Sequence, residues 1–318
     1  MPSTKSLTEL ATPFASITAN LGQDIAWLKS LRLKALAQFN SQGLPAKKQE
    51  DWKYTSLWAL SQQAFIHQPE VSTVSASQCE QLALLHGNYR VVIVDGVLSA
   101  ELSHLDNMQD GLTISALSSE EGLVKAQTHL GQQIDITKVG FNALNTLLMN
   151  EGFVITVDSD VHVEKTIEVL VINTGITANL ATHLRNVIVM ADNSQLTVIE
   201  HYVGLTDAVS FTNVVTEAVL ATNAELNQYK LQQESSNAFH IATLAAKQGS
   251  RSQWKTNNIS LGAKLARNDI HTQLLGEQSH VVMDGLYLVN NEQHVDNHTR
   301  IDHTVANTTS EELYKGVL

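Results

Sequence analysis

Leu265-Ala266-Arg267-Asn268-Asp269-Ile270-His271-Thr272-Gln273-Leu274 and His294-Val295-Asp296-Asn297-His298-Thr299-Arg300-Ile301-Asp302 decide the fold. In the first stretch Arg267, Asp269, His271 and Gln273 share one parity, against Ala266, Asn268, Ile270, Thr272 and Leu274. In the second, His294, Asp296, His298, Arg300 and Asp302 alternate with Val295, Asn297, Thr299 and Ile301. Side chains alternate across a strand, so each stretch reads as a strand with one charged face and one small or apolar face. The charged sets lie about 27 residues apart, twice a shorter beat. Turn-forming clusters recur at Asn193, near Asp207, and at Asn223, Asn237, Gly249, Gly262, Gly276 and Asn290, at intervals of about 13 to 14 residues. That interval suits one long strand plus a turn. Agreement at twice the beat favours a flattened parallel β-helix with two strands per coil over an antiparallel meander. Neighbouring rungs at ~4.8 Å would then set Arg267 beside His294 and His271 beside His298.

Bulk properties narrow the classes. With 318 residues the chain can bury a large core. Hydrophobic content of 43% and mean hydropathy of −0.07 are ordinary for a globular protein. The net charge of −12 repels phosphate backbones, and Lys47-Lys48 is too small to form a basic patch, so nucleic acid is not expected as a partner. No apolar run reaches the ~20 residues of a membrane span, and Met1-Pro2-Ser3-Thr4-Lys5 does not open a signal peptide. A cytoplasmic location is expected. The single cysteine, Cys79, excludes an internal disulfide. It is either a thiol ligand or nucleophile, or an incidental thiol near a helix start.

Three regions are expected: an N-terminal helical domain over 1–62, a mixed α/β connection over 63–152, and a β-helix core over 153–318 that stops short at its C-terminal end. Leu7, Leu10, Phe14, Ile17, Leu21, Ile25, Leu28 and Leu31 form a helical stripe, split near Pro13 and Gly22, with Asp24 as a candidate N-cap and Gly43-Leu44-Pro45 as the stop. The stripe serves packing or a partner. Val91–Val94 followed by Asp95-Gly96 predicts a buried strand into a tight turn. Ser118 with Glu121 suggests a capping box. Residues 141–150 predict a helix, and strands are expected from Phe153 onward.

Chemical motifs are sparse. His294, Asp296 and His298 occupy one strand face with alternate Cα atoms ~6.5–7 Å apart, a spacing that suits a shared metal, although Arg300 on the same face opposes a cation. A charged outer face or a subunit interface explains the same residues, and Arg267, His271, His294, His298 and Arg300 are the interface candidates. Asp158 and Asp160 read as turn residues before a carboxylate pair. His303 has the opposite parity and reads as a local structural group. The chain has no phosphate loop, dinucleotide fingerprint, Gly-x-Ser-x-Gly elbow or His-Glu-x-x-His.

Glu50-Asp51-Trp52-Lys53-Tyr54-Thr55 resembles the Trp-Lys-Tyr-Thr signature of the SufB/SufD family, in its SufD branch, from the SUF iron–sulfur assembly system. Phe141-Asn142-Ala143-Leu144-Asn145, Asn150-Glu151-Gly152, Arg185-Asn186-Val187, Ile199-Glu200-His201-Tyr202 and Ile301-Asp302-His303-Thr304-Val305 through Tyr314-Lys315-Gly316 fit the same pattern. The resemblance implies a right-handed parallel β-helix behind a helical domain. It implies a non-catalytic scaffold that pairs with SufB and with SufC, an ABC-type ATPase. Iron, a transient Fe–S cluster or a flavin would belong to the assembled complex, with none held tightly by the isolated chain, which could form a homodimer. Relatives continue beyond the point matching Leu318 with further coils, a Cys-Ser-His-Gly-type segment bearing an interface His, and a helical domain that docks the ATPase. The expectation here is a fragment or a shortened gene product, with neither that His nor ATPase docking carried onto these residues. Two rival readings remain: a β-helix enzyme acting on acidic polysaccharide, and a purely structural repeat protein.

Overall fold

The computed structural model describes Leu21 and residues 25–67, 69–70, 72–137 and 139–318. The first helical piece and Asp24 lie outside the described residues. The chain then forms α1 (Ala26–Gln42), a 3-10 turn (Glu50–Trp52), α2 (Trp58–Ser61) and α3 (Ala76–Leu82). Next come β1 (Tyr89–Val94), β2 (Val97–Leu98), β3 (Leu112–Ala116), α4 (Glu120–Ala126) and α5 (Gly140–Leu148). Twelve strands follow: β4 (Phe153–Val157), β5 (Ile167–Asn173), β6 (Leu180–Met190), β7 (Gln195–Gly204), β8 (Ser210–Leu220), β9 (Glu225–Gln233), β10 (Phe239–Gln248), β11 (Gln253–Ser260), β12 (Leu265–Leu274), β13 (His280–Leu288), β14 (His294–His303) and β15 (Thr309–Val317).

These strands deal alternately into two sheets. The even sheet runs β14-β12-β10-β8-β6-β4-β3 and the odd sheet β15-β13-β11-β9-β7-β5-β1-β2. From β4 onward every pairing is parallel. The fold is therefore a β-solenoid with two strands per coil, as expected. Strands β1 and β3, from the segment before Phe153, extend the same two sheets.

The coil length varies. Phe239 pairs with Leu265 and Val154 with Val187, so a coil takes 26 to 33 residues. This variation corrects the expected neighbours. Arg267 pairs with Asp296, Asp269 with His298 and His271 with Arg300. Four residues connect Ser260 to Leu265 but six connect Tyr287 to His294, which moves the register by two. A shift of two keeps side-chain parity, so the face assignments survive although the partners change.

The beat has a backbone cause. Each turn from an even to an odd strand holds one left-handed residue: Asp160, Asn193, Asn223, Arg251, Gln278 and Asn307, at φ of 57 to 63°. Asn and Asp tolerate that region better than most residues. Successive corners are also tied. Asn193 donates to Asp160, Asn223 to Asn193 and Arg251 to Asn223, each at 2.7 Å.

Inward parity builds the main core, where Leu184, Ile188, Val214, Ala218, Leu244 and Ile270 face Val169, Val198, Leu226, Trp254 and Met283. A second core lies on the outer face of the even sheet. There α5, buried along its whole length, packs Phe141, Leu144 and Leu148 onto Phe211, Phe239, Ile241 and Leu265, under Ala35 and Phe39 of α1. Gly43 ends α1 at φ 63°, as its sequence suggests. The cap of α4 is Ser119, which accepts from Gly122 N. Ser118 and Glu121 instead bond Glu151 and Ser115, so the expected box does not form. Cys79 lies inside α3, buried against Val74, Val92 and Leu170, and burial pushes its thiol pKa up. That makes it a core group and argues against a reactive thiol.

Two buried polar systems brace the solenoid. Arg185 donates to Glu217 at 2.6 Å, and both side chains are fully buried. Inside the coil, Lys230 donates to Asn268 at 2.7 Å and stands over the Tyr202 ring, near Glu200 and Glu234. Burial pulls the Lys230 ammonium down to about 8, against the two carboxylates.

Two outcomes follow for stability. Glu217→Ala strands a charged guanidinium and should cost about 3–5 kcal/mol by denaturant unfolding, whereas Arg185→Met with Glu217→Leu should recover most of that loss. A lysine pKa lowered in the fold makes protonation favour unfolding. The native protein should therefore gain stability relative to Lys230→Met as pH rises from about 8 towards 10.5. Parallel pH profiles would contradict this.

Candidate functional site

The charged outer parity of β12 and β14 meets the N-terminal segment. Arg267 is 1% exposed. Its guanidinium stacks 3.8 Å from the centre of the Trp52 ring. The same group donates to the Asp51 carbonyl at 2.8 Å, to the Asp269 carboxylate at 2.7 and 3.1 Å, and to Asp296. Thr55 also donates to Asp296. Trp52 and Thr55, from the turn and the residues after it, thus close over a strand more than two hundred positions away. Desolvation pushes the Asp269 pKa up, and Arg267 opposes the shift.

Beyond Arg267 the face opens into a pocket of about 330 Å³, whose lining includes Asp51, Trp52, Asp269, His271, His298 and Arg300. His271 Nε2 is 2.9 Å from Asp302, which also accepts from Arg300 Nε at 2.9 Å. Burial works against the Asp302 charge, but these two bonds hold its pKa below the ordinary value. His298 lies between Asp51 at 3.5 Å and Asp269 at 3.8 Å.

The expected residues therefore part company. His298 and Arg300 stay substantially exposed, with 41% and 55% of their side chains accessible. His271 is partly buried, and Arg267 is inside the chain's own N-terminal contact. His294 lies across from Leu265, with a buried Nε2 that has no bonding partner among the described residues. Asp296 is engaged by Arg267 and Thr55. Among the described residues no three His, Cys, Asp or Glu side chains form a group that could hold a metal ion. His303 bonds Thr308 and Ser310, the local role its parity suggested. Asp160 is a left-handed turn residue, bonded to Asn193.

Sequence reasoning missed that Trp52 and Arg267 are partners, because nothing local joins positions so far apart. The interior network was nearer to hand: Leu226, Gln228, Lys230 and Gln232 share the inward parity of β9. Polar residues at three consecutive inward positions were the available signal.

The geometry can be set beside known proteins. Residues 172–318 match the SufBD core domain of SUF-system FeS cluster assembly, and residues 3–169 match the SufBD protein N-terminal region. The chain belongs to the SufBD family. It is 26% identical over 308 residues to an iron–sulfur cluster assembly SufBD family protein of Synechocystis, and 28% identical over 285 residues to the iron–sulfur cluster assembly protein SufD of Escherichia coli. Those matches take in 93% and 89% of this chain, and 68% and 64% of the relatives' lengths. A chloroplastic Arabidopsis protein, ABCI7, is 28% identical over 132 residues, or 41% of this chain and 28% of its own. SufBD membership ties the chain to iron–sulfur cluster assembly. The Trp52–Thr55 signature lies in the N-terminal match and Arg267 in the core match, so the contact joins the two matched regions. No helix among the described residues is long and apolar enough to cross a membrane.

Removing the guanidinium tests the clasp. Arg267→Leu should lower stability by about 2–3 kcal/mol, because Asp269 and Asp296 lose their cation. Hydrogen exchange should accelerate in residues 49–55 but not in β6 and β8. Unchanged exchange at 49–55 would show that the clasp does not hold that segment.

Proposed function

We propose that the chain acts as a non-catalytic scaffold subunit of an iron–sulfur assembly complex, alongside a SufB-type paralogue and a SufC-type ATPase. Family membership over both modules carries this reading. The chemistry of the outer face supports it. Arg267, Asp269, Asp296, Arg300, Asp302 and His271 mainly neutralise one another, which suits a rigid docking face more than a reacting centre. His298 and Arg300 are the most exposed of these cationic groups and so the ones placed to meet a partner, and a rim of this kind favours recognition and association rate over raw affinity. Iron, the nascent cluster and any flavin are cargo of the assembled complex, with no resident cofactor on this chain alone. The complex works in the cytoplasm.

Co-expression of the natural protein, with a tag, alongside its SufB and SufC homologues should yield a complex that survives size-exclusion chromatography. Charge reversal at Arg300 (Arg300→Glu) should weaken the complex at least several-fold without unfolding the subunit. Elution of the chain alone or as a homodimer, with neither homologue bound, would overturn the scaffold reading.

A further inference from the structure

The signature segment has two sides. Trp52 and Thr55 turn inward to Arg267 and Asp296, whereas Tyr54 is 79% exposed and Trp58, four residues on, is 72% exposed. The fold makes little use of the outward pair. Among the described residues only Lys53 stands over the Tyr54 ring, at 4.9 Å. Trp58 borders an open groove of about 860 Å³ whose walls include Leu44, Pro45, Lys47 and Leu57. An exposed tryptophan beside an apolar groove is the kind of anchor that dominates protein interfaces.

Charge selects the occupant. Lys47 and Lys48 are exposed and form no ion pair with any described residue, on a chain whose net charge is −12. The nearby carboxylates each have a basic neighbour, Glu50 with Lys53 at 2.6 Å and Asp51 with His298 at 3.5 Å, although both stay largely exposed. A second copy would bring another net −12, and two lysines are too few to hold a membrane surface or a nucleic acid.

We propose that this groove docks a protein segment bearing an apolar or aromatic anchor flanked by carboxylates. The anchor packs between Trp58 and the Leu44–Leu57 wall, and the carboxylates meet Lys47 and Lys48. This surface is separate from the Arg300 face and does not depend on the complex described above.

The test uses the full chain and a fluorescein-labelled twelve-residue peptide with a Leu-Phe anchor between two pairs of Asp or Glu. A second peptide carries Lys at the four acidic positions. Saturable anisotropy is expected with the acidic peptide and at least tenfold weaker binding with the basic one. Trp58→Ala should abolish binding and Lys47→Glu with Lys48→Glu should weaken it at least fivefold. Both sites are exposed, so circular dichroism of the variants should be unchanged. Equal affinity for the two peptides, no saturable binding, or binding indifferent to Trp58 would overturn the proposal. Sedimentation showing a dimer that Trp58→Ala dissociates would assign the groove to a second copy instead.

Discussion

The Arg185–Glu217 pair is the contact on which the two parts of the molecule depend. Glu217 accepts from Arg185 and also from the backbone amides of Gly131 and Gln133, at 2.7 and 2.8 Å. Arg185 reaches Asn145 and Thr146 of α5, and Asn145 in turn donates to the carbonyls of Leu184 and Asn213. Adjacent strands of the solenoid, the helix laid over them and the loop before that helix therefore share one hydrogen-bonded unit. At full burial each charge is tolerable only because its partners are all present. The helix cannot slide on the sheet without leaving several buried groups unsatisfied. Apolar packing of Phe141 and Leu144 against Phe211 and Phe239 would permit such sliding far more readily.

Fixing α5 fixes what lies beyond it. The chain enters the solenoid directly after this helix, and Glu151 holds the entry by bonding Ser118 and Gly152. Asn186 continues the tie by accepting from Phe153 N and donating to Thr216. From there the coils propagate by near-neighbour contacts, and the corner residues from Asp160 to Arg251 each bond the next. A repeat stack of this type accumulates stability coil by coil. It also tolerates changes in coil length, provided insertions fall in the connections and preserve parity. The longer connection before β14 does both, and so the charged parity stays outward.

Much of this was legible in the sequence because it is local and periodic. Alternation along β12 and β14, the Asn and Gly punctuation, and the helix before Glu151 all follow from backbone geometry that a short window contains. The exact rung partners were not legible, since they depend on the summed length of two connections. Arg267 looked like an exposed interface residue for a related reason. Outward parity on a strand means solvent only where no other layer covers the sheet, and the cover here comes from residues 49–55. The family resemblance marked the Trp52 end of that contact, whereas Arg267 stood out only by its place on the charged parity of its strand.

The two covers on the even sheet differ in kind, and the difference bears on function. Over β6 and β8 the layer is a helix with an apolar underside and a fully satisfied polar centre. Over β12 and β14 it is a short turn held by the Arg267 guanidinium, by Thr55 on Asp296 and by Trp52 packed against Phe141, with Asp269 and Asp296 both partly exposed. Charge–aromatic stacking of this sort contributes far less than a buried helix face does. The turn is therefore the part of the cover whose position responds most to a change at the charged face. A partner that drew Asp296 away from Arg267 would weaken the hold on Trp52, and displacement of Trp52 would carry Tyr54 and Trp58 with it. Physical continuity along the seven residues from Trp52 to Trp58 thus links the Arg300 face to the Trp58 groove.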